Sequence, residues 1–199
     1  MKGEGKTTGR AARGFPPVVD AGIETLILGS FPSVKSLAKA QYYGHPQNQF
    51  WRLVGDVIGE PLPDMDYETR KRTLLAHRIG LWDIIGACVR PGSLDSNIRK
   101  PRHNDFSRVT GVAKKLRRVC FNGKTAGKME PLFAEMGFDT IVLPSSSPAN
   151  TLRFNAKLKQ WQQIAAPSRA AGWPLPAASV QETGAAPSPF TLHPSRKSC

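Results

Sequence analysis

Four short apolar runs limit what this chain can fold into. Thr25–Leu28, Gly80–Ile84, Arg118–Phe121 and Thr140–Leu143 are each four or five residues long and show little polar alternation. The first, third and fourth are β-branched or apolar and give way to Gly, Asn, Pro or Ser, as strands buried on both faces do. The second reads equally as a strand or a helix end. Helical patterns separate them: Asn48–Ile58, Tyr67–Arg78, Phe106–Leu116, Thr125–Met136 with Pro131 inside it, and Asn150–Ile164. In the first of these, Trp51, Val54 and Ile58 form one stripe, with Phe50, Leu53 and Val57 beside it. The alternating order predicts an α/β fold in three layers, α/β/α, around a parallel sheet. Right-handed crossovers then gather the strand C-termini on one edge. Residues 29–33, 83–91, 122–124 and 144–150 should meet there. No internal repeat is present.

The 199 residues suffice for one domain with a full core. Residues 1–17 are rich in Gly, Lys and Arg, and residues 167–199 hold six prolines among many Ala, Ser and Gly. Both predict disorder, a basic arm and a flexible tail, around a domain spanning 18–166. The formal net charge is +13. An excess of that size favours a polyanionic partner, although a solvated basic surface is the plain alternative. Between Lys100 and Lys128 stand nine Lys or Arg and one acid, Asp105. That density points to phosphate contacts, with Lys114, Lys115, Arg117 and Arg118 as candidates. Cys88, Cys120 and Cys199 are scattered without C-x-x-C spacing, which argues against a disulfide framework, a zinc site or an iron–sulfur cluster. Reduced thiols fit a cytoplasmic protein. No apolar run is long enough to span a membrane, and no lipidation signal stands out.

Three segments on the expected sheet edge carry polar and aromatic groups suited to chemistry. Gly29-Ser-Phe-Pro-Ser33 turns the chain off the first strand, where a glycine permits close approach of another backbone. Tyr42-Tyr-Gly-His-Pro-Gln-Asn-Gln-Phe-Trp51 follows. Trp51 reads as a core anchor. Asn48 stands where a helix N-cap would stand, and an amide there can also hold a water. Leu143-Pro-Ser-Ser-Ser-Pro-Ala-Asn150 offers three hydroxyls and an amide between prolines, either as a capped helix start or as a rigid polar loop. Asp83, in Leu81-Trp-Asp-Ile, reads as a structural acceptor or a general base, with the structural role favoured. No phosphate loop and no Gly-x-Ser-x-Gly elbow occur, so a serine nucleophile is disfavoured.

Together with Arg90-Pro-Gly-Ser-Leu-Asp95 and Phe121-Asn-Gly123, these segments resemble the uracil-DNA glycosylase superfamily, in order and across residues 24–165. The likeness extends to its hypoxanthine-DNA glycosylase branch. The resemblance implies a central four-stranded parallel sheet and metal-free hydrolysis of the N-glycosidic bond of a deaminated base in DNA. The base is flipped out, no cofactor is needed, and the enzyme acts as a monomer. By the same resemblance Tyr43 falls on the aromatic that stacks the base. Gly29, Ser30, Phe31, Phe50, Ser145 and Ser147 would line its pocket, and Asn48, Ser146 and Asn150 would carry the chemistry. Phe31 occupies the position where much of the superfamily has Asp or Asn to handle the attacking water; the hypoxanthine branch shows the same loss and uses the later asparagine, here Asn48. Two alternatives remain open at the level of sequence: a mismatch-specific uracil glycosylase, and a non-catalytic DNA-binding module on the same fold.

Overall fold

The computed structural model describes residues 11–167. Four parallel strands form the central sheet in the order β3-β2-β6-β7. They are β2 (Thr25–Gly29), β3 (Ile79–Asp83), β6 (Arg118–Asn122) and β7 (Asp139–Leu143). The second apolar run is thus a strand and not a helix end. Its register sets Gly29 beside Asp83, and Asn122 beside Leu143. Four strand ends therefore align on one edge, as the topology requires. The residues of β2, β3 and β6 are buried throughout, which explains why their sequences do not alternate.

Helices pack on both faces of the sheet. α1 (Val34–Lys39) is capped by Ser33, whose Oγ accepts the Ser36 N–H at 3.1 Å. α2 (Phe50–Ile58) buries Phe50, Trp51, Leu53 and Val54 and ends at Gly59 with φ 76°. α3 (Tyr67–Ala76) is mostly polar and buries Leu74. Asp66 caps it through the Thr69 N–H. The basic run contributes only a short helix, α4 (Ser107–Thr110), followed by turns, and not one helix over 106–116. The 125–136 pattern divides into α5 (Lys124–Gly127) and α6 (Glu130–Glu135). Pro131 sits in the first turn of α6, where its missing N–H costs nothing. α7 (Phe154–Trp161) starts later than expected and runs into a 3-10 turn, Gln162–Ala165. Trp82, Trp161, Phe50, Phe106, Phe121 and Phe133 are fully buried between the layers. Each contributes roughly 1.5–3 kcal/mol by leaving water.

A second sheet was not expected from the sequence. β1 (Ala12–Arg13), β4 (Ile85–Val89) and β5 (Arg99–His103) pair antiparallel in the order β1-β4-β5. The basic arm is therefore ordered from residue 11 onward. Phe15 packs edge-on against Tyr42, its carbonyl accepts the Trp82 indole N–H at 3.1 Å, and the Gly14 N–H reaches Gly86 O. The expected disorder of residues 1–10 and of the tail beyond 167 lies outside the described residues.

Candidate active site

The aligned strand ends open into a cleft of about 1140 Å³. Its walls come from the loops after β2, β3, β6 and β7, so all three segments singled out above reach it. Gly29, Ser30, Phe31, Tyr43, Asn48, Ser145, Ser146, Ser147 and Asn150 all border it.

The floor is set by Gly29. A Cβ there would overlap Asp83 Oδ1 and stand 3.0 Å from the Tyr43 hydroxyl, so only glycine leaves room for both. Asp83 is 3% exposed, and its Oδ2 has no hydrogen-bond partner among the described residues. Burial, reinforced by Asp95, pushes its carboxyl up to about 7, with Arg90 pulling the other way. The Tyr43 hydroxyl is buried with no partner in hydrogen-bonding geometry among the described residues, and burial raises its pKa against the opposing pull of the nearby Asn122 side chain, so the phenol stays protonated. Tyr43 adopts φ 53°, a left-handed backbone that carries its ring over the floor. The sequence favours a structural acceptor at Asp83; the structure leaves its Oδ2 buried without a partner, which no local pattern reveals.

Phe50 does not line the cleft. It is fully buried and stacks on Tyr43 with ring centroids 3.8 Å apart and planes at 14°. One face of Tyr43 is thus covered, and only the other is left for a planar ligand. Phe31 borders the cleft but is 7% exposed and lies under the Arg90 guanidinium, 5.0 Å from it. Arg90 also donates to the carbonyls of Phe31 and Pro32 and pairs with Asp95 at 3.6 Å. It fixes the shape of the first loop.

Asn48 is not the N-cap of α2: that position falls to Gln49, and Asn48, one residue earlier, closes a turn onto the start of the helix. Its Oδ1 accepts the Phe50 N–H at 2.9 Å. That bond orients the amide and leaves one Oδ1 lone pair and both Nδ2 protons toward the cleft. Ser146 is different: it is fully buried. Its N–H donates to Asn122 Oδ1, its Oγ accepts from Asn122 Nδ2, and its carbonyl accepts the Gln49 N–H at 3.0 Å. Asn122, which the sequence places on this edge without a role, thereby holds the serine loop to the end of β6. Asn150 Nδ2 donates to Ser145 O, and its Oδ1 accepts the Leu152 N–H. Ser145 and Ser147 hydroxyls accept the N–H groups of Ser147 and Ala149. Ser146 and Asn150 therefore brace the loop rather than present free reactive groups. Lys157, 1% exposed, completes the brace by donating to Gln49 Oε1 and Asn150 O, both at 2.8 Å.

The basic residues do not reach this edge. Lys114, Lys115 and Arg117 are exposed but precede β6, at the N-terminal ends of the strands. A five-residue strand separates the two edges by about 13 Å. Arg118 is 4% exposed. It donates to Asp139 Oδ2 from Nε and Nη2 at 2.9 and 2.6 Å, and to the carbonyls of Gln163 and Ile164. It is an internal clamp and not a phosphate contact. Lys35 and Lys124 border the cleft instead. Cys88 and Cys120 are buried, and burial pushes the Cys120 thiol up to about 12. Among the described residues no helix is long and apolar enough to cross a membrane, and no cluster of His, Cys, Asp or Glu could hold a metal ion.

The family model of the uracil DNA glycosylase superfamily matches residues 16–167. A Methanosarcina acetivorans protein named hypoxanthine DNA glycosylase is 52% identical over 152 residues, covering 76% of this chain and 96% of that protein. A Methanosarcina barkeri protein of the same name is 44% identical over 151 residues, with the same coverage of each chain. A solution NMR structure from M. acetivorans, provisionally described as a uracil DNA glycosylase, superposes with a TM-score of 0.71. It is 49% identical and covers 78% of this chain and 99% of its own.

Proposed function

Since this chain belongs to the uracil DNA glycosylase superfamily, we propose that it excises hypoxanthine from DNA as a monofunctional, monomeric cytoplasmic enzyme. The observation that carries this reading is the cleft floor, where the Asp83 carboxyl and the Tyr43 hydroxyl stand buried and unpartnered beside Gly29. Unsatisfied buried polar groups cost about 1–3 kcal/mol each, and a ligand that pairs with them recovers that energy. Hypoxanthine presents a carbonyl oxygen next to a ring N–H. A protonated carboxyl offers a donor and an acceptor in the same spacing, so Asp83 reads that edge in its neutral form. Uracil carries a similar lactam edge and is the natural second substrate. Two relatives named hypoxanthine DNA glycosylase favour the purine.

In this reading the extruded base stacks on the face of Tyr43 that Phe50 leaves open. Asn48 holds a water against C1′ of the deoxyribose. The bond from C1′ to the base breaks with its electron pair going to the base, and charge develops on the sugar as an oxocarbenium-like state. The water oxygen bonds to C1′ and sheds a proton, and the base leaves protonated. A positioned water and donors to the departing base carry such a reaction without a strong base. Phe31 supplies no polar group and closes the apolar side of the pocket.

The test is base release from duplexes bearing deoxyinosine, deoxyuridine or deoxyxanthosine. Release of hypoxanthine, with an abasic site left behind, is expected. Tight binding of deoxyinosine duplex without release of any base would overturn the enzyme reading in favour of a non-catalytic binding module. Tyr43→Ala should lose about 1–3 kcal/mol of transition-state stabilisation through lost stacking, and Tyr43→Phe much less.

A further inference from the structure

β4 and β5 form a hairpin outside the parallel sheet, and its position is set by the cleft. β4 leaves the end of β3 and runs along the first loop, with the N–H groups of Ile84 and Ile85 donating to Gly29 O and Ser30 O. Farther on, Arg90 holds the Phe31 and Pro32 carbonyls, and Ser93 Oγ accepts the Val34 N–H at 3.0 Å. The turn of the hairpin, Gly92 to Asp95, borders the cleft directly. β5 returns along the outer side of β4 as the edge of the small sheet, and all five of its residues are exposed.

Those five residues are Arg99, Lys100, Pro101, Arg102 and His103. No carboxylate pairs with Arg99, Lys100 or Arg102 among the described residues. Arg99 is held by the carbonyls of Ser96 and Ile98, which fix its direction without neutralising it. Pro101 removes a donor from the strand and blunts the edge against pairing with another strand. An exposed strand with neither apolar residues nor acids is unsuited to a protein core or a membrane. It is suited to a partner with regularly spaced negative charge.

We infer that the β4–β5 hairpin is the DNA-gripping surface of this protein, with Arg99, Lys100 and Arg102 set against successive phosphates of the strand that enters the cleft. The strand spans about 14 Å, and each DNA strand carries one charge per ~3.4 Å of helix axis. Over that length a DNA strand presents about four charges, enough to face three cations on neighbouring phosphates. The surface adjoins the cleft, whereas Lys114, Lys115 and Arg117 lie at the opposite edge of the sheet. The inference rests on the glycosylase reading only for the choice of DNA as partner.

The experiment compares two triple variants of the full chain in fluorescence anisotropy with deoxyinosine-bearing and undamaged duplexes across a salt series. One is Arg99→Gln/Lys100→Gln/Arg102→Gln and the other Lys114→Gln/Lys115→Gln/Arg117→Gln. Loss of three phosphate contacts should reduce the slope of log K against log salt by about 2–3 for the first, for both duplexes alike. The second should match the wild type. Lys100→Glu alone serves if the first triple fails to fold, and it should weaken binding to both duplexes. An unchanged slope in the first triple, a binding-neutral Lys100→Glu, or a slope reduced only in the second triple would each overturn the inference. A hairpin-dependent slope in a protein that releases no base would sink the glycosylase reading and leave this surface standing.

Discussion

Asn122 and Ser146 are joined twice, through Asn122 Nδ2 to Ser146 Oγ at 2.9 Å and through the Ser146 N–H to Asn122 Oδ1 at 2.8 Å. The pair locks the serine loop to the sheet in a place without solvent. Ser146→Ala leaves an Asn122 N–H unsatisfied and should cost about 1–3 kcal/mol of stability. Asn122→Ala should cost more, since both bonds go. If Ser146 acts as a brace, Ser146→Ala keeps most of its single-turnover cleavage at a temperature where it remains folded. Loss of cleavage by orders of magnitude in a fully folded Ser146→Ala would return the serine to a catalytic role.

The bond to Phe50 and the water-holding role proposed for Asn48 are separable by substitution. Its Oδ1 bond to the Phe50 N–H holds the start of α2. Serine preserves such a bond, and alanine loses it at about 1 kcal/mol. Asn48→Ser should therefore melt near the wild type yet lose at least ~100-fold in single-turnover cleavage, with DNA affinity little changed. Cleavage retained in Asn48→Ser would leave the residue its bond to Phe50 alone.

Asp83 predicts a pH dependence of known sign. Unfolded, its carboxyl ionises near the ordinary value of 3.8; folded, it holds its proton to about 7 because of burial. The folded state binds more protons between those values, so stability falls as pH rises through that window and levels above it. Asp83→Asn removes the titration. Its melting temperature relative to wild type should rise from pH 4 to pH 8, by the equivalent of roughly 2–4 kcal/mol. If the neutral carboxyl reads the base, wild-type hypoxanthine release declines above pH 7, while Asp83→Asn, whose amide still offers a donor and an acceptor, shows no such limb. Parallel pH profiles in the two proteins would remove Asp83 from base recognition.

Arg118→Gln separates clamp from phosphate contact. Removing a buried cation from Asp139 should destabilise the fold by about 3–5 kcal/mol. The folded fraction should bind DNA with unchanged salt dependence. A shallower slope at undiminished stability would restore the phosphate assignment.

The parallel sheet was legible because strands buried on both faces carry apolar centres without alternation, as Leu26-Ile-Leu28 and Val119-Cys-Phe121 do. The hairpin was not. Ile85–Val89 contains small residues, and Arg99–His103 is exposed on every side, so neither shows a period of two. The same exposure hid the basic strand within a longer charge run, where density on paper stood in for position in space. Arg118 shows the cost of that substitution, since Lys114, Lys115 and Arg117 face water and it does not. That the aromatic and amide motifs would meet at one edge was legible from the alternation of strands and helices. The tie that Asn122 makes and the isolation of Asp83 were not, because both depend on partners supplied, or withheld, by other strands.

Lys157 binds Gln49 Oε1 and Asn150 O at once, and Trp161 of the same helix donates to Pro144 O at 2.9 Å. Two walls of the cleft thus depend on a helix near the end of the domain. During synthesis, the chain exposes its early loops long before that helix leaves the ribosome. A chain halted before residue 157 has all of the described strands but no tie between the walls. The width of the cleft is therefore a property of the whole domain, set by a residue more than a hundred positions away in the chain from the wall it holds.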